Sequence, residues 1–192
     1  TWTNSSYVNV TLSCSDSGVG CDVTQYCLDT ANTCTPNTTY STPVQISTEG
    51  ISYIRYKAND TVGNSETVNS QTIKIDIIKI TESGTIPDPV EFAPKNFTIY
   101  VNATSSGTIT NCNLSLWYEG NNTKVIDNKN MTKGQGGVWN YTHMADAEGT
   151  WNWSVVCKDS YSQNTTASGN FSVTNNPPEN LTCSFTPIPL GV

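Results

Sequence analysis

The stretch ISYIRYKANDTVGN, residues 51–64, decides the fold. Ile54, Tyr56 and Ala58 alternate with Arg55, Lys57 and Asn59, the two-residue period of a strand with one buried and one wet face. Asp60-Thr61-Val62-Gly63-Asn64 then supplies a turn. Further along, VCKDSYSQN (156–164) repeats the order of YKANDTVGN (56–64): strand, Asp, short turn, Asn, final strand. Two copies of one pattern in 192 residues predict two related β-sandwiches in tandem, with modest cores of roughly 80 to 90 residues each. No 3.6-residue periodicity appears, so helix is expected to be nearly absent.

Outward from that stretch, Tyr7–Cys14 alternates Val8, Val10, Leu12 and Cys14 against Asn9, Thr11 and Ser13 and predicts a half-buried strand. Val23–Leu28 and Thr33–Pro36 flank a turn at Thr30-Ala31, and as a two-residue hairpin they would set Cys27 opposite Cys34. Cys14 and Cys21 would then clip the loop before it, although four cysteines allow three pairings and the sequence leaves all three open. Pro43–Ser47, and a strand with Ile73, Ile75 and Ile77 on one face, complete a first domain over 1–82. Residues 83–95, with Pro87, Pro89 and Pro94, read as a stiff linker.

A second domain over 96–175 places Phe97, Ile99, Val101, Cys112, Leu114, Leu116, Trp151, Trp153, Val155, Cys157, Phe171 and Val173 inward. Cys112 and Cys157, inward on well-separated strands, predict a bridge between two sheets. The tail, 176–192, alternates Leu181, Cys183 and Phe185 with Thr182 and Ser184 before Pro187 and Pro189, the pattern of one more strand. The first domain reads as short of an opening strand, so the tail is expected to complete a neighbouring or following domain. Cys183 is left without a partner.

Composition narrows the function classes. A net charge of -7 without a Lys/Arg stripe speaks against nucleic acid and anionic lipid, and no run approaches the ~20 apolar residues of a membrane span. Seven cysteines beside a single histidine, His143, without a Cys-x-x-Cys pair, favour disulfides and an oxidising compartment over zinc. No paired catalytic carboxylates, phosphate loop or nucleophile elbow is present, so no enzyme and no cofactor are expected. Asp16, Asp22, Asp60 and Glu66 are calcium-ligand types near turns, but such residues also shape turns by bonding their own backbone, and that reading is preferred. His143 reads as a packing residue, and Trp117, Trp139, Trp151 and Trp153 as core rather than a sugar platform.

The strongest motif is repeated. Asn-x-Ser/Thr with x other than Pro occurs at Asn4, Asn9, Asn37, Asn59, Asn96, Asn102, Asn113, Asn121, Asn130, Asn140, Asn152, Asn164, Asn170 and Asn180. At this Ser and Thr content chance gives about five or six such acceptor triplets, so the excess predicts N-linked glycans. Asn9, Asn59, Asn96, Asn102, Asn113, Asn152, Asn170 and Asn180 also fall on the outward phase of strands, which permits a bulky hydrophilic group.

LSCSDSGVGC, QYCLDTANTC, PVQIS and TEGISYIRYKANDTVGN, in that order, resemble immunoglobulin-like repeat domains of archaeal and bacterial secreted and cell-surface proteins. CNLSLWYEG and GTWNWSVVCKDSYSQN resemble a second type of the same class. The four clustered cysteines depart from many members. The resemblance implies stalks, adhesins, surface-layer components or appendages of secreted enzymes. With the glycan acceptors and the tail, the expectation is a structural subunit of an extracellular archaeal filament or coat. It would partner copies of itself in a homopolymer or tandem array, joined head to tail by donated strands. An adhesin or stalk repeat, or an accessory module of a secreted hydrolase, is the alternative.

Overall fold

The computed structural model describes residues 1–91, 95–119 and 123–174. The expected donor strand with Leu181, Cys183 and Phe185, and the acceptors Asn121 and Asn180, lie outside the described residues. The strands are β1 (Val8–Val10), β2 (Cys21–Asp29), β3 (Thr38–Thr39), β4 (Val44–Ile46), β5 (Gly50–Asp60) and β6 (Asn69–Ile75) in the first sandwich. The second has β7 (Lys79–Ile86), β8 (Val90–Glu91), β9 (Asn96–Thr104), β10 (Ile109–Tyr118), β11 (Thr123–Asn130), β12 (Thr132–Lys133), β13 (Val138–Met144), β14 (Gly149–Asp159) and β15 (Asn164–Thr174). A single 3-10 turn lies at Gln135–Gly137, and the described residues form no α-helix.

In the second sandwich a five-stranded sheet, β11-β10-β14-β15-β8, faces a four-stranded one, β12-β13-β9-β7. Between them lie nineteen buried residues centred on Trp151, Phe97, Leu114 and Val155. The first sandwich sets β3-β2-β5-β6 against the two-stranded β1-β4. Its buried core is five residues, Val44, Ile46, Ile54, Ile73 and Ile75, with Val8, Val10, Leu12 and Tyr26 only half-buried against it. Inward alternation alone does not bury a side chain; the facing sheet must also be wide enough to cover it.

Several elements differ from the sequence reading. The strand expected over Tyr7–Cys14 stops at Val10. Residues 33–36 pair with no strand. Instead Asp29 accepts hydrogen bonds from the backbone N–H groups of Asn32, Thr33 and Cys34, at 2.9, 2.8 and 2.8 Å, which wraps the loop around one carboxylate, and β2 pairs beyond it with β3. The Thr33 amide is foremost in holding Asp29 below its ordinary carboxylate range.

The stretch 83–95, expected as a linker, carries the end of β7 and all of β8. β7 pairs antiparallel with β9 in one sheet and β8 pairs parallel with β15 in the other. Pro87 and Pro89 sit at the crossing, where no ladder donor is needed. Finally, Cys112 and Cys157 are direct partners on adjacent strands of one sheet, 4.0 Å apart at Cα, so their disulfide staples β10 to β14 rather than joining two sheets. Alternation assigns each cysteine a face but does not say which strands are neighbours.

Candidate functional site

The two sandwiches correspond in most of their strands. Gly50 pairs with Ile75 at the start of β5, and Gly149 with Val173 at the start of β14. Thr3 bridges in parallel to Ile75, as Val90 does to Val173, so the first sandwich does have an opening segment at that edge.

The turns match atom for atom. Asp60 Oδ1 accepts from the N–H groups of Val62 and Asn64, and Asp159 Oδ1 from those of Tyr161 and Gln163. Gly63 and Ser162 take the same left-handed conformation, with φ of 91° and 67°. The counterpart of Asn64 is therefore Gln163, one residue before the Asn164 that the sequence echo suggests. The correspondence makes Val10 equivalent to Phe97, Leu12 to Ile99 and Cys14 to Val101, because Val8 pairs with Ile46 four residues before Gly50 as Lys95 meets Ala145 four before Gly149.

Two strands of the four-stranded sheet in the second sandwich, β12 and β7, have no counterpart among the described strands of the first, and β7 is the longer. β9 pairs on one side with β13 and on the other with β7, through Thr98 to Thr104. Among the described residues β1 pairs with β4 alone. The positions equivalent to Thr98–Thr104 are residues 11–17, the stretch that fails to form strand. Among the described residues it pairs with no strand on either side, so its backbone is in no ladder.

Beside it lies a groove of about 490 Å³, lined by Leu12, Cys14, Thr24, Tyr56, Ala58 and Asp60 among others. Tyr56 and Ala58 are equivalent to Val155 and Cys157, which are fully buried in the second sandwich. The Cys14–Cys21 disulfide, both residues exposed, spans the rim, and Cys27–Cys34 closes the next loop.

The sandwiches meet end to end through a polar clasp. Asp76, with no exposed surface, accepts from the Ser105 hydroxyl at 3.0 Å, the Ser106 N–H at 2.9 Å and the Ser106 hydroxyl. The same Ser105 hydroxyl lies 2.9 Å from Asp159. Having one proton, it donates to one carboxyl at a time and links the two by position. Burial pushes the Asp76 carboxyl up, and the hydrogen bonds it accepts from Ser106 and Ser105 more than offset this, leaving it below the ordinary range. Trp2 stacks on Tyr161 at 3.9 Å, and Asn4 Nδ2 donates to the Asn164 carbonyl. Sequence reasoning missed this clasp; its one signal is a lone Asp inside the apolar run Ile75-Asp76-Ile77.

The twelve described glycan acceptors all keep some exposure. Asn4, Asn9, Asn37, Asn96, Asn130, Asn164 and Asn170 are exposed; Asn59, Asn102, Asn113, Asn140 and Asn152 are half-buried. Asn113 Nδ2, the atom a glycan would need, donates to Asn128 Oδ1 at 2.9 Å. Asn152 and Asn170 are direct cross-strand partners, as are Asn113 and Asn130.

The turn carboxylates face their own loops: Asp16 accepts from the N–H groups of Gly18 and Gly20, and Glu66 from that of Ala58. Asp60 is held below the ordinary range, chiefly by the Asn64 side chain. The His143 ring packs against Phe97 and Trp151. Trp139, Trp151 and Trp153 are buried, while Trp117 lies under the Lys124 ammonium. Among the described residues no helix is long and apolar enough to cross a membrane.

No family model and no curated protein matches the chain. Among solved structures it is similar to the fibronectin(III)-like modules of Clostridium thermocellum CbhA, at 17% identity over 93% of this chain and 90% of that one, with a TM-score of 0.37. It is also similar to the D00-D0 domain of intimin, at 12% identity over 91% and 95%, TM-score 0.42. Extracellular domains 3–5 of Drosophila OTK match at 10% identity over 90% of this chain and 57% of that one, TM-score 0.35.

Proposed function

We propose that this chain is a glycosylated structural unit of an extracellular, cell-surface filament or coat, built from immunoglobulin-like sandwiches stacked head to tail. The observation that carries the reading is the pairing of a buried clasp between the sandwiches with an uncovered edge on the first. The clasp of Asp76, Ser105 and Asp159 fixes one domain on the next, as a stiff rod requires and a flexible tether does not. Contacts that repeat head to tail do not close on themselves and give an open fibre. Three disulfides support an oxidising, extracellular setting, and the excess of exposed acceptor asparagines supports a glycan coat that shields strand edges. An archaeal source rests on the sequence resemblance alone.

Electron microscopy of native material shed from cells without boiling tests this. Fibres with an axial repeat of about 70 Å, two strands of eleven residues end to end, are the expected result. Isolated particles without polymer would overturn it and favour an adhesin stalk or enzyme appendage.

A further inference from the structure

We infer that the groove along residues 11–17 is the acceptor site for residues 180–186 of a second copy of this chain, in a register that sets Phe185 opposite Leu12 and Cys183 opposite Cys14. The inference deepens the filament reading and rests on it for the role of the contact, though not for its geometry.

The missing strand has a template in the molecule, β7 with the crossing that follows it. β7 ends in Ile86-Pro87-Asp88-Pro89-Val90, and the tail contains Thr186-Pro187-Ile188-Pro189-Leu190. The Pro-x-Pro-aliphatic pattern recurs at the same distance behind an alternating segment. Laid on β7 by this motif, Cys183 takes the place of Ser83 and Phe185 that of Thr85.

In the second sandwich Ser83 pairs with Val101 and Thr85 with Ile99, and both of those partners are buried. Cys183 and Phe185 thus fall on the inward phase that their alternation predicts, and carried to the first sandwich their partners become Cys14 and Leu12. The tail is more apolar at these positions than β7, as the groove requires. Its wall residues Tyr56 and Ala58 are half-exposed, and a phenylalanine entering beside Leu12 would cover them. Backbone pairing along 11–17 would satisfy the open edge at the same time, as strand addition does generally.

The tail that fills the groove comes from another copy. Asn164 lies at the junction, where its carbonyl meets Asn4, and Thr174 ends β15 ten residues away. Asp60 ends β5 ten residues from Gly50 in the other direction. At about 3.3 Å per residue the two far ends stand roughly 65 Å apart. The few residues between Thr174 and Asn180 reach about 20 Å when fully extended. The tail of a chain cannot reach its own groove, whereas that of one copy whose Thr174 end abuts the Asp60 end of the next can.

The test is cysteine trapping in the full chain. Cys21→Ser frees the Cys14 thiol, and oxidised glutathione, taking two electrons and two protons from the Cys14 and Cys183 thiols, would join them into an inter-subunit disulfide. The expected result is a ladder on non-reducing gels that collapses on reduction, with Cys14–Cys183 as the cross-linked peptide by mass spectrometry. Moving the tail thiol one residue, Cys183→Ser with Ser184→Cys, is expected to lose the ladder.

A second pair of variants leaves every disulfide intact. Phe185→Asp should reduce assembly measured by light scattering at least tenfold, and Ser184→Asp, on the outward phase, should leave it unchanged. Monomers from the Cys21→Ser chain while Phe185→Asp still assembles, equal trapping from position 184, or equal effects of the two aspartates would each overturn the inference. Fibres that form without a Cys14–Cys183 bond in the trapped variant would leave the filament reading standing and remove this one.

Discussion

Replacing Asp76 with alanine should uncouple the two sandwiches while leaving each folded. The carboxylate accepts from the Ser106 N–H at 2.9 Å, the Ser106 hydroxyl and the Ser105 hydroxyl at 3.0 Å. Without it Ser105 still has Asp159 at 2.9 Å, so the bonds lost outright are the two to Ser106. At about 1.5 to 3 kcal/mol for each hydrogen bond to a charged group, the gross loss is about 3 to 6 kcal/mol. Removing a buried charge returns part of that in desolvation, leaving a net cost of about 3 kcal/mol. Asp76→Asn keeps an acceptor for the Ser106 N–H and should cost about 1 kcal/mol.

Urea unfolding followed by tryptophan fluorescence, with small-angle scattering on the folded state, reads both effects. The alanine variant should show an earlier unfolding step for the first sandwich and a wider spread of interdomain distances. The pH dependence has a definite sign. Asp76 lies below its ordinary value of 3.8, so its contribution is complete above that pH and is lost as pH falls through the lower folded value. Alanine and asparagine variants both within about 0.5 kcal/mol of wild type, with unchanged scattering, would refute the clasp, as would coupling that strengthens on acidification.

Removing the Cys112–Cys157 bridge by a double alanine substitution should cost about 4 kcal/mol, and removing Cys14–Cys21 about 2, because they close loops of 45 and 7 residues; thermal melts of the two variants read the difference. Gly169→Ala should cost about 1 to 3 kcal/mol by overpacking, since a Cβ there would lie 2.7 Å from the Trp153 ring, and calorimetry should show no such loss for an alanine at Gly18, whose nearest neighbour would be 3.5 Å away. Glycopeptide mapping of native protein should find Asn96 occupied more fully than Asn113, whose amide nitrogen is engaged with Asn128, and should rarely find Asn152 and Asn170 modified on one molecule because they stand side by side.

Much of the second sandwich was legible because each strand buries one whole face: Phe97, Ile99 and Val101, or Trp151, Trp153, Val155 and Cys157, are apolar at every second position and the structure buries them all. Neighbour relations were not legible. The period of Cys112 and Cys157 states which way each points, and only topology states that β10 lies beside β14. The prolines at 87 and 89 punctuate two strands as readily as they stiffen a linker, and Lys79–Ile86 carries too little apolar pattern to decide between them. Tyr7–Cys14 fails for the opposite reason. Its pattern is that of a full strand, but a ladder extends only as far as its partner, and β4, its partner among the described residues, is three residues long. The clasp at Asp76 was invisible because its partners, Ser105, Ser106 and Asp159, are each common turn residues that acquire meaning only when a second domain is set against them.

The correspondence between the sandwiches also sets what a contact between copies can use. Within the chain, Asp76 and Trp2 at the end of the first sandwich meet Ser105, Ser106, Asp159 and Tyr161 at the start of the second. Between copies, the end of the second sandwich would meet the start of the first. There Thr174 stands where Asp76 did, and Pro89 where Trp2 did. On the facing pole Val62 replaces Tyr161, and the serines give way to the stretch around Gly18 and Val19.

Among the described residues Asp60 stands where Asp159 did, bonded to its own turn, but neither a counterpart of Asp76 nor one of the serine pair remains to complete a clasp, and the pole presents Val19 and Val62, 53% and 68% exposed. Two valines of that exposure supply only a few kcal/mol when covered, about 1.5 to 3 kcal/mol for a fully buried side chain, which is less than the ordering of two large bodies costs. A polymer held by this pole alone would fall apart on dilution. In the proposed filament most of the binding free energy between copies would therefore come from elsewhere, and the stretch 11–17, which pairs with no strand among the described residues and borders a groove of about 490 Å³, is where the described structure has room for it.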